Sequence, residues 1–202
     1  MHRRTLDIIF SVGAVALAGL LLILGLVLQN QANFADSYVH DQLSAQKIVF
    51  TPAKSLADEE KKADCLVENG GEPLTTGKQA ECYANEYIAL HLSEINEGKT
   101  YAETSTQSRA AAADATAATT AGAANAAQLT ATAKALDGKT QTLFRGETLR
   151  GLLLTSYGFS IFGERAQQAA WVCFAVALVL FLAAIAGFVH AFATPKDKTV
   201  TI

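Results

Sequence analysis

The chain has 202 residues, half of them hydrophobic and 17% charged, with 16 Lys and Arg against 19 Asp and Glu. A chain of this length holds one ordinary domain plus anchors, and its apolar residues are concentrated towards the two ends rather than spread over one core. The acidic balance, net −3, speaks against a nucleic-acid partner, which would demand a basic patch.

Residues 1–7 form a short tail in which Arg3 and Arg4 stand beside Asp7. Residues 8–28 follow without a charge. At 1.5 Å per residue they reach about 31 Å, the thickness of a bilayer's hydrocarbon core. A cleaved signal peptide carries an apolar stretch of only about 7–15 residues, so this one reads as an uncleaved signal anchor.

Residues 29–108 are expected to form a small helical domain. Phe34, Tyr38, Val39 and Leu43 keep helical spacing, which predicts that the first helix continues to about Ala45. Lys47–Phe50 reads as a short extended piece before Pro52. Ser55 and Asp58 suggest a capping box opening a helix from Leu56 to Val67, with Asn69-Gly70-Gly71 ending it. Asp58, Glu59 and Glu60, followed at once by Lys61 and Lys62, read as a solvated helix end. Residues 77–98 are predicted to be the most regular external helix, closed by Gly98. Cys65 and Cys82 lie 17 positions apart in this segment and read as a disulfide. Zinc is the competing use, without a Cys-x-x-Cys or a nearby histidine to support it. Cys173, the third cysteine, reads as a small apolar filler.

Residues 109–137 hold 15 alanines and 5 threonines, which predicts either an exposed helix or a mobile linker, ended by Asp137-Gly138. Residues 138–168 form an amphipathic juxtamembrane segment. Its stretch "FRGETLRGLLLTSYGFSIFGER" has three structural options: an interfacial helix, a re-entrant hairpin, or a helix packed on the outward extension of the first span. The last is the preferred expectation, with Arg145, Arg150, Tyr157 and Trp171 as membrane-interface residues.

Residues 169–193 form a second charge-free run of 25 residues that includes His190. Small residues four apart, Ala14 and Ala18 in the first run and Ala183, Gly187 and Ala191 in the second, are candidate helix–helix contacts. His190 either snorkels to water or relays a proton. No second ionisable residue lies in either run, which speaks against a transport path. Residues 194–202 are a short tail with Lys196 and Lys198 beside Asp197. Both tails are net basic, so the positive-inside rule places both termini in the cytoplasm of a plasma-membrane protein and residues 30–168 outside. That outer segment carries 12 basic and 17 acidic residues.

"GKTYAE" at 98–103 and "LRGLLLTSYGF" at 149–159, together with the two spans, resemble an actinobacterial family of small two-span membrane proteins. Its members are often labelled aromatic ring-opening dioxygenase, LigA type. That label implies a non-haem iron held by two histidines and a carboxylate. The external residues offer only His40 and His91, with Glu94 one turn from the latter, and these read as ordinary helix residues. No phosphate loop, nucleophile elbow or zincin motif is present. The expected fold is therefore an all-α membrane protein: two antiparallel transmembrane helices, a small helical extracytoplasmic domain and one disulfide. The expected role is a structural or accessory protein, not an enzyme and without a cofactor. It contacts the lipid bilayer and a protein partner or a second copy through its spans, and no nucleic acid. An envelope sensor acting through a separate cytoplasmic partner is the first alternative, and a metal-dependent enzyme the second.

Overall fold

A computed structural model describes residues 2–195; Lys196, Asp197 and Lys198, used above for the charge of the C-terminal tail, lie outside the described residues. Helices account for nearly all regular structure, and no strand occurs among the described residues; Val49 and Pro73 form an isolated antiparallel bridge. The chain divides into two compact units, one made of residues up to Tyr38 and from Ser160 onward, the other of Val39–Phe159.

Helix α1 spans Arg3–Ala45, so the apolar run continues into the polar extension as the periodicity predicts. The second unit then begins with irregular chain. Phe50 donates its backbone N–H to Glu72 at 3.0 Å, and Leu74 donates to Ile48 at 2.9 Å. This is the short extended piece expected near residue 50. The helix predicted over Leu56–Val67 does not form as a unit. Leu56 is extended and buried, a 3₁₀ turn occupies Glu60–Lys62, and α2 covers only Asp64–Glu68. The Ser55–Asp58 capping box is absent, and Ser55 ends a 3₁₀ turn at Ala53–Ser55. Instead the carboxylate of Glu60 takes the backbone N–H of Ala57 at 2.6 Å, and the helical turn that opens there is only the short 3₁₀ turn at Glu60–Lys62.

The capping boxes that do form are elsewhere. Thr76 Oγ1 accepts from the N–H of Gln79 at 3.2 Å while Gln79 Oε1 accepts from the N–H of Thr76 at 3.1 Å, opening α3 at Gly77–Cys82. Helical chain continues through a π-helical turn at Tyr83–Ile88, α4 at Ala89–Ser93 and a 3₁₀ turn at Ile95–Gly98. The core of this unit gathers Val39, Leu43, Phe50, Leu56, Leu66, Leu74, Ile88, Leu92, Leu143 and Leu153.

The Ala/Thr-rich segment is ordered helix, not a linker. Helix α5 runs Tyr101–Thr120 and α6 runs Ala126–Ala193. Between them the chain stops on a Schellman turn: Gly122 has φ +64°, its N–H meets the carbonyl of Thr119, and the N–H of Ala123 meets that of Ala118 at 2.9 Å. The expected end at Asp137-Gly138 is thus overturned, as α6 passes straight through both residues. A mid-helix glycine costs about 1 kcal/mol. Burial of Thr140 and Leu143 and the bond from Lys139 Nζ to Asn96 Oδ1 at 3.2 Å outweigh that cost. Residues 144–165 lie inside the same uninterrupted helix, so the re-entrant hairpin option is also excluded.

Candidate functional site

In the first unit the two apolar helices run antiparallel, and their contact is a seam of small residues. On α1 the buried positions Ser11, Ala18, Gly25 and Ala32 recur every seven residues; on α6 so do Gly163, Ala170, Ala177, Ala184 and Ala191. A seven-residue repeat keeps one stripe facing a partner helix when the two supercoil gently. Four-residue spacing drifts off that stripe, so the candidate ridges lie on this seam only in part. Ala18, Gly187 and Ala191 lie on the contact and Ala14 flanks it, but Ala183 is exposed and its neighbour Ala184 takes the buried place. The backbones come close. A Cβ on Gly25 would lie 2.6 Å from the Phe174 ring, and one on Gly187 would strike Ser11 Oγ.

Polar contacts flank this seam at two levels. Gln29 and Gln167 exchange amide hydrogen bonds, 2.6 Å from Gln29 Nε2 and 2.5 Å from Gln167 Nε2. At the other level His190 Nδ1 lies 2.9 Å from Asp7 Oδ2, and the Arg4 guanidinium sits 5.5 Å from the centre of the Phe192 ring. Asp7 therefore gives His190 a partner that the sequence reading did not supply. Trp171 is exposed, with its ring edge-on to Phe174.

In the second unit Cys65 and Cys82 form the expected disulfide, with Cα atoms 6.1 Å apart, joining α2 to the end of α3. Behind it runs an aromatic row: Phe50 to Tyr83 at 5.3 Å, Tyr83 to Tyr87 at 4.7 Å, and Tyr87 to His91 at 4.5 Å between ring centres. The row ends on a buried carboxylate, because His91 Nε2 lies 3.0 Å from Glu60 Oε1. Burial, then the neighbouring Tyr87 and Glu60, push the Tyr83 hydroxyl above its ordinary pKa. Sequence reasoning missed Glu60 by treating residues 58–60 as a solvated end. That holds for Asp58 and Glu59, which pair with Lys61 and Lys62 at the surface, whereas Glu60 turns inward. Among the described residues no three His, Cys, Asp or Glu side chains converge as an iron or zinc site would require.

Of the residues expected at a membrane interface, Arg145 is exposed. Arg150 reaches Asn85 Oδ1 at 3.3 Å and Glu147 at 3.4 Å, and the Tyr157 ring lies beneath Lys78 Nζ at 5.2 Å. Arg150 and Tyr157 thus join α6 to the helical stretch that begins at α3. The hydrogen bond from Lys78 to Glu81, and then the charge of Glu81, hold the Lys78 ammonium above its ordinary pKa.

The "GKTYAE" stretch is a helix start. Asn96, Glu97 and Gly98 are three successive left-handed residues, with φ of 50°, 60° and 75°. Thr100 then caps α5: its Oγ1 accepts from the N–H of Glu103 at 3.3 Å, and Glu103 Oε2 accepts from the N–H of Thr100 at 2.8 Å. The Thr100 hydroxyl, which donates to Glu103 Oε2 at 2.7 Å, and then the Thr100 backbone N–H keep the Glu103 carboxyl below the usual carboxylate range. Tyr101 packs on Phe144, with ring centres 5.6 Å apart. Asn96 tolerates its backbone because its buried amide is fully used, donating to Thr104 Oγ1 and Gln107 Oε1, each at 3.0 Å, and accepting from Lys139. Asn96→Ala should therefore lower the unfolding free energy of the second unit by about 2 kcal/mol, since buried Thr104 and half-buried Gln107 lose their bonds and alanine resists φ > 0. Denaturant titration of the full chain in detergent, followed by circular dichroism, measures this.

Comparison with family models, with curated proteins and with solved structures returned no match to this chain.

Proposed function

We propose that this chain is an integral plasma-membrane protein of the accessory or structural kind. In this reading α1 and the C-terminal part of α6 cross the bilayer as an antiparallel pair. Both termini lie in the cytoplasm, and Val39–Phe159 forms an extracytoplasmic head that binds a partner membrane protein. The observation that carries the reading is how side chains are sorted around the helix pair. Small residues fill the seam, while Phe10, Leu20, Ile23, Val172, Val179 and Phe192 are exposed on the outside. Water does not tolerate so many large apolar groups on two adjoining helices, whereas lipid tails solvate them at no cost. Both helices are also long and apolar enough to cross a membrane. The tail charges at Arg3 and Arg4 support the orientation.

Two measurements test it. A cysteine placed at exposed Thr130 should react with a membrane-impermeant maleimide in intact cells; reaction only after lysis would reverse the topology. Purification at native expression level in mild detergent should bring down a stoichiometric membrane partner. Recovery of the chain alone would end the accessory reading while leaving the membrane topology intact.

A further inference from the structure

We infer that Phe34 and Phe162 form an aromatic collar seated in the outer headgroup layer of the bilayer. This rests on the membrane reading above and assigns a lipid-binding surface to residues that sequence reasoning did not choose. The reciprocal amide pair of Gln29 and Gln167 marks one level on both helices, because each glutamine stands just outside its helix's apolar run, 8–28 or 169–193. Further along the same seam Ala35 meets Gly163: a Cβ on Gly163 would lie 2.8 Å from that of Ala35. Phe34 and Phe162, the immediate neighbours of these two contact residues, therefore share a second level.

That level is five residues beyond Gln29 on α1 and five before Gln167 on α6, or about 7.5 Å along a helix axis. A hydrocarbon core of about 30 Å within a bilayer of about 40–45 Å leaves roughly 5–7 Å of headgroup layer on each side. An average helix tilt of about 20° brings the rings further into it. The side chains face the right way. Ala32, Ala35 and Gly163 occupy the seam and are buried, whereas Phe162 is 75% exposed and Phe34 57%. Phe34 also stacks on Tyr38 at 5.8 Å, which widens the aromatic surface at this level. The collar continues the lipid-facing surface below it, where exposed Trp171 sits one turn inside the Gln29–Gln167 level. Glu164 and Arg165 stand between the collar and the apolar run, where headgroup charges and water solvate them. The occupant that fits is the glycerol and headgroup layer of a phospholipid, where Trp and Tyr rings gather beside charged side chains and where Tyr38, stacked on Phe34, supplies the polar tip.

Trp171 is the only tryptophan in the chain, so fluorescence reads each position separately. Full-length protein is reconstituted in phosphatidylcholine vesicles as wild type, and as Trp171→Phe carrying Phe34→Trp, Phe162→Trp or Thr130→Trp. Wild-type Trp171 should be quenched by lipids brominated along the acyl chain. Tryptophan at 34 or 162 should lose quenching by aqueous iodide, relative to tryptophan at 130, and be quenched by lipid spin-labelled at the headgroup. Iodide quenching at 34 and 162 as strong as at 130 would overturn the collar. So would quenching by neither agent, which would mean that protein from a second copy covers the rings. If Trp171 itself escapes brominated lipid, the membrane reading has failed; if Trp171 is quenched and the collar positions are not, only the collar has.

Discussion

Leu74→Ala will unfold the second unit more readily than almost any other single change, by about 2–5 kcal/mol. Leu74 has 0% of its surface exposed and lies among Phe50, Leu66, Leu56 and Ala80. Its backbone N–H is bonded to Ile48, so the segment is held in place and cannot follow the shortened side chain into the vacated space. That combination puts the expected cost towards the upper part of the range, because unrelaxed cavities are the costly ones. The measurement is denaturant unfolding of the detergent-solubilised full chain. A loss below 1 kcal/mol would show that residues 48–50 and 72–74 collapse around the cavity, and that this core is looser than its burial implies.

Removing the disulfide is the second large effect. Cys65→Ala with Cys82→Ala should cost about 3 kcal/mol, the closure entropy of a loop spanning 17 positions. Adding reductant to the wild-type protein should reproduce the loss, and adding it to the double variant should change nothing. The staple matters because α2 has only five residues and α3 six, too short to persist as isolated helices. Leu66 and Ala80, which flank the bridge in sequence, are nearly or fully buried, so loosening one end exposes core. An unchanged unfolding midpoint in reductant would mean that Leu66, Leu74 and Ala80 hold these two helices together unaided.

The two effects act on different states. The cavity raises the free energy of the folded chain, whereas the missing bridge lowers that of the unfolded one. Leu66, Leu74 and Cys82 belong to one buried cluster, so the triple variant is expected to depart from simple additivity, and the departure measures how far the staple stiffens this part of the core.

Properties that depend on local runs of residues were written in the sequence. Twenty-one charge-free residues at one end and 25 at the other make helices long enough for a bilayer whatever they touch, and both are present. Two cysteines in a short helical segment were enough to anticipate the bridge. Two further signals were legible but not used. Thr76-x-x-Gln79 and Thr100-x-x-Glu103 match the capping-box pattern better than Ser55-x-x-Asp58 does, and Gly122 is the glycine in the alanine-rich run that ends a helix.

Tertiary structure alone decided the rest, because the competing local energies are small. Whether α6 stops at Gly138 turns on about 1 kcal/mol, and contacts from Lys139 and Leu143 exceed it. Whether Glu60 faces water or the core depends on His91, 31 positions later in the chain. Whether Ala183 or Ala184 enters the seam is settled by the seven-residue phase shared with α1, since a helix viewed alone presents both faces equally to its surroundings. A chain can state its own periodicity, but the face that is buried is chosen by whichever surface comes to lie against it.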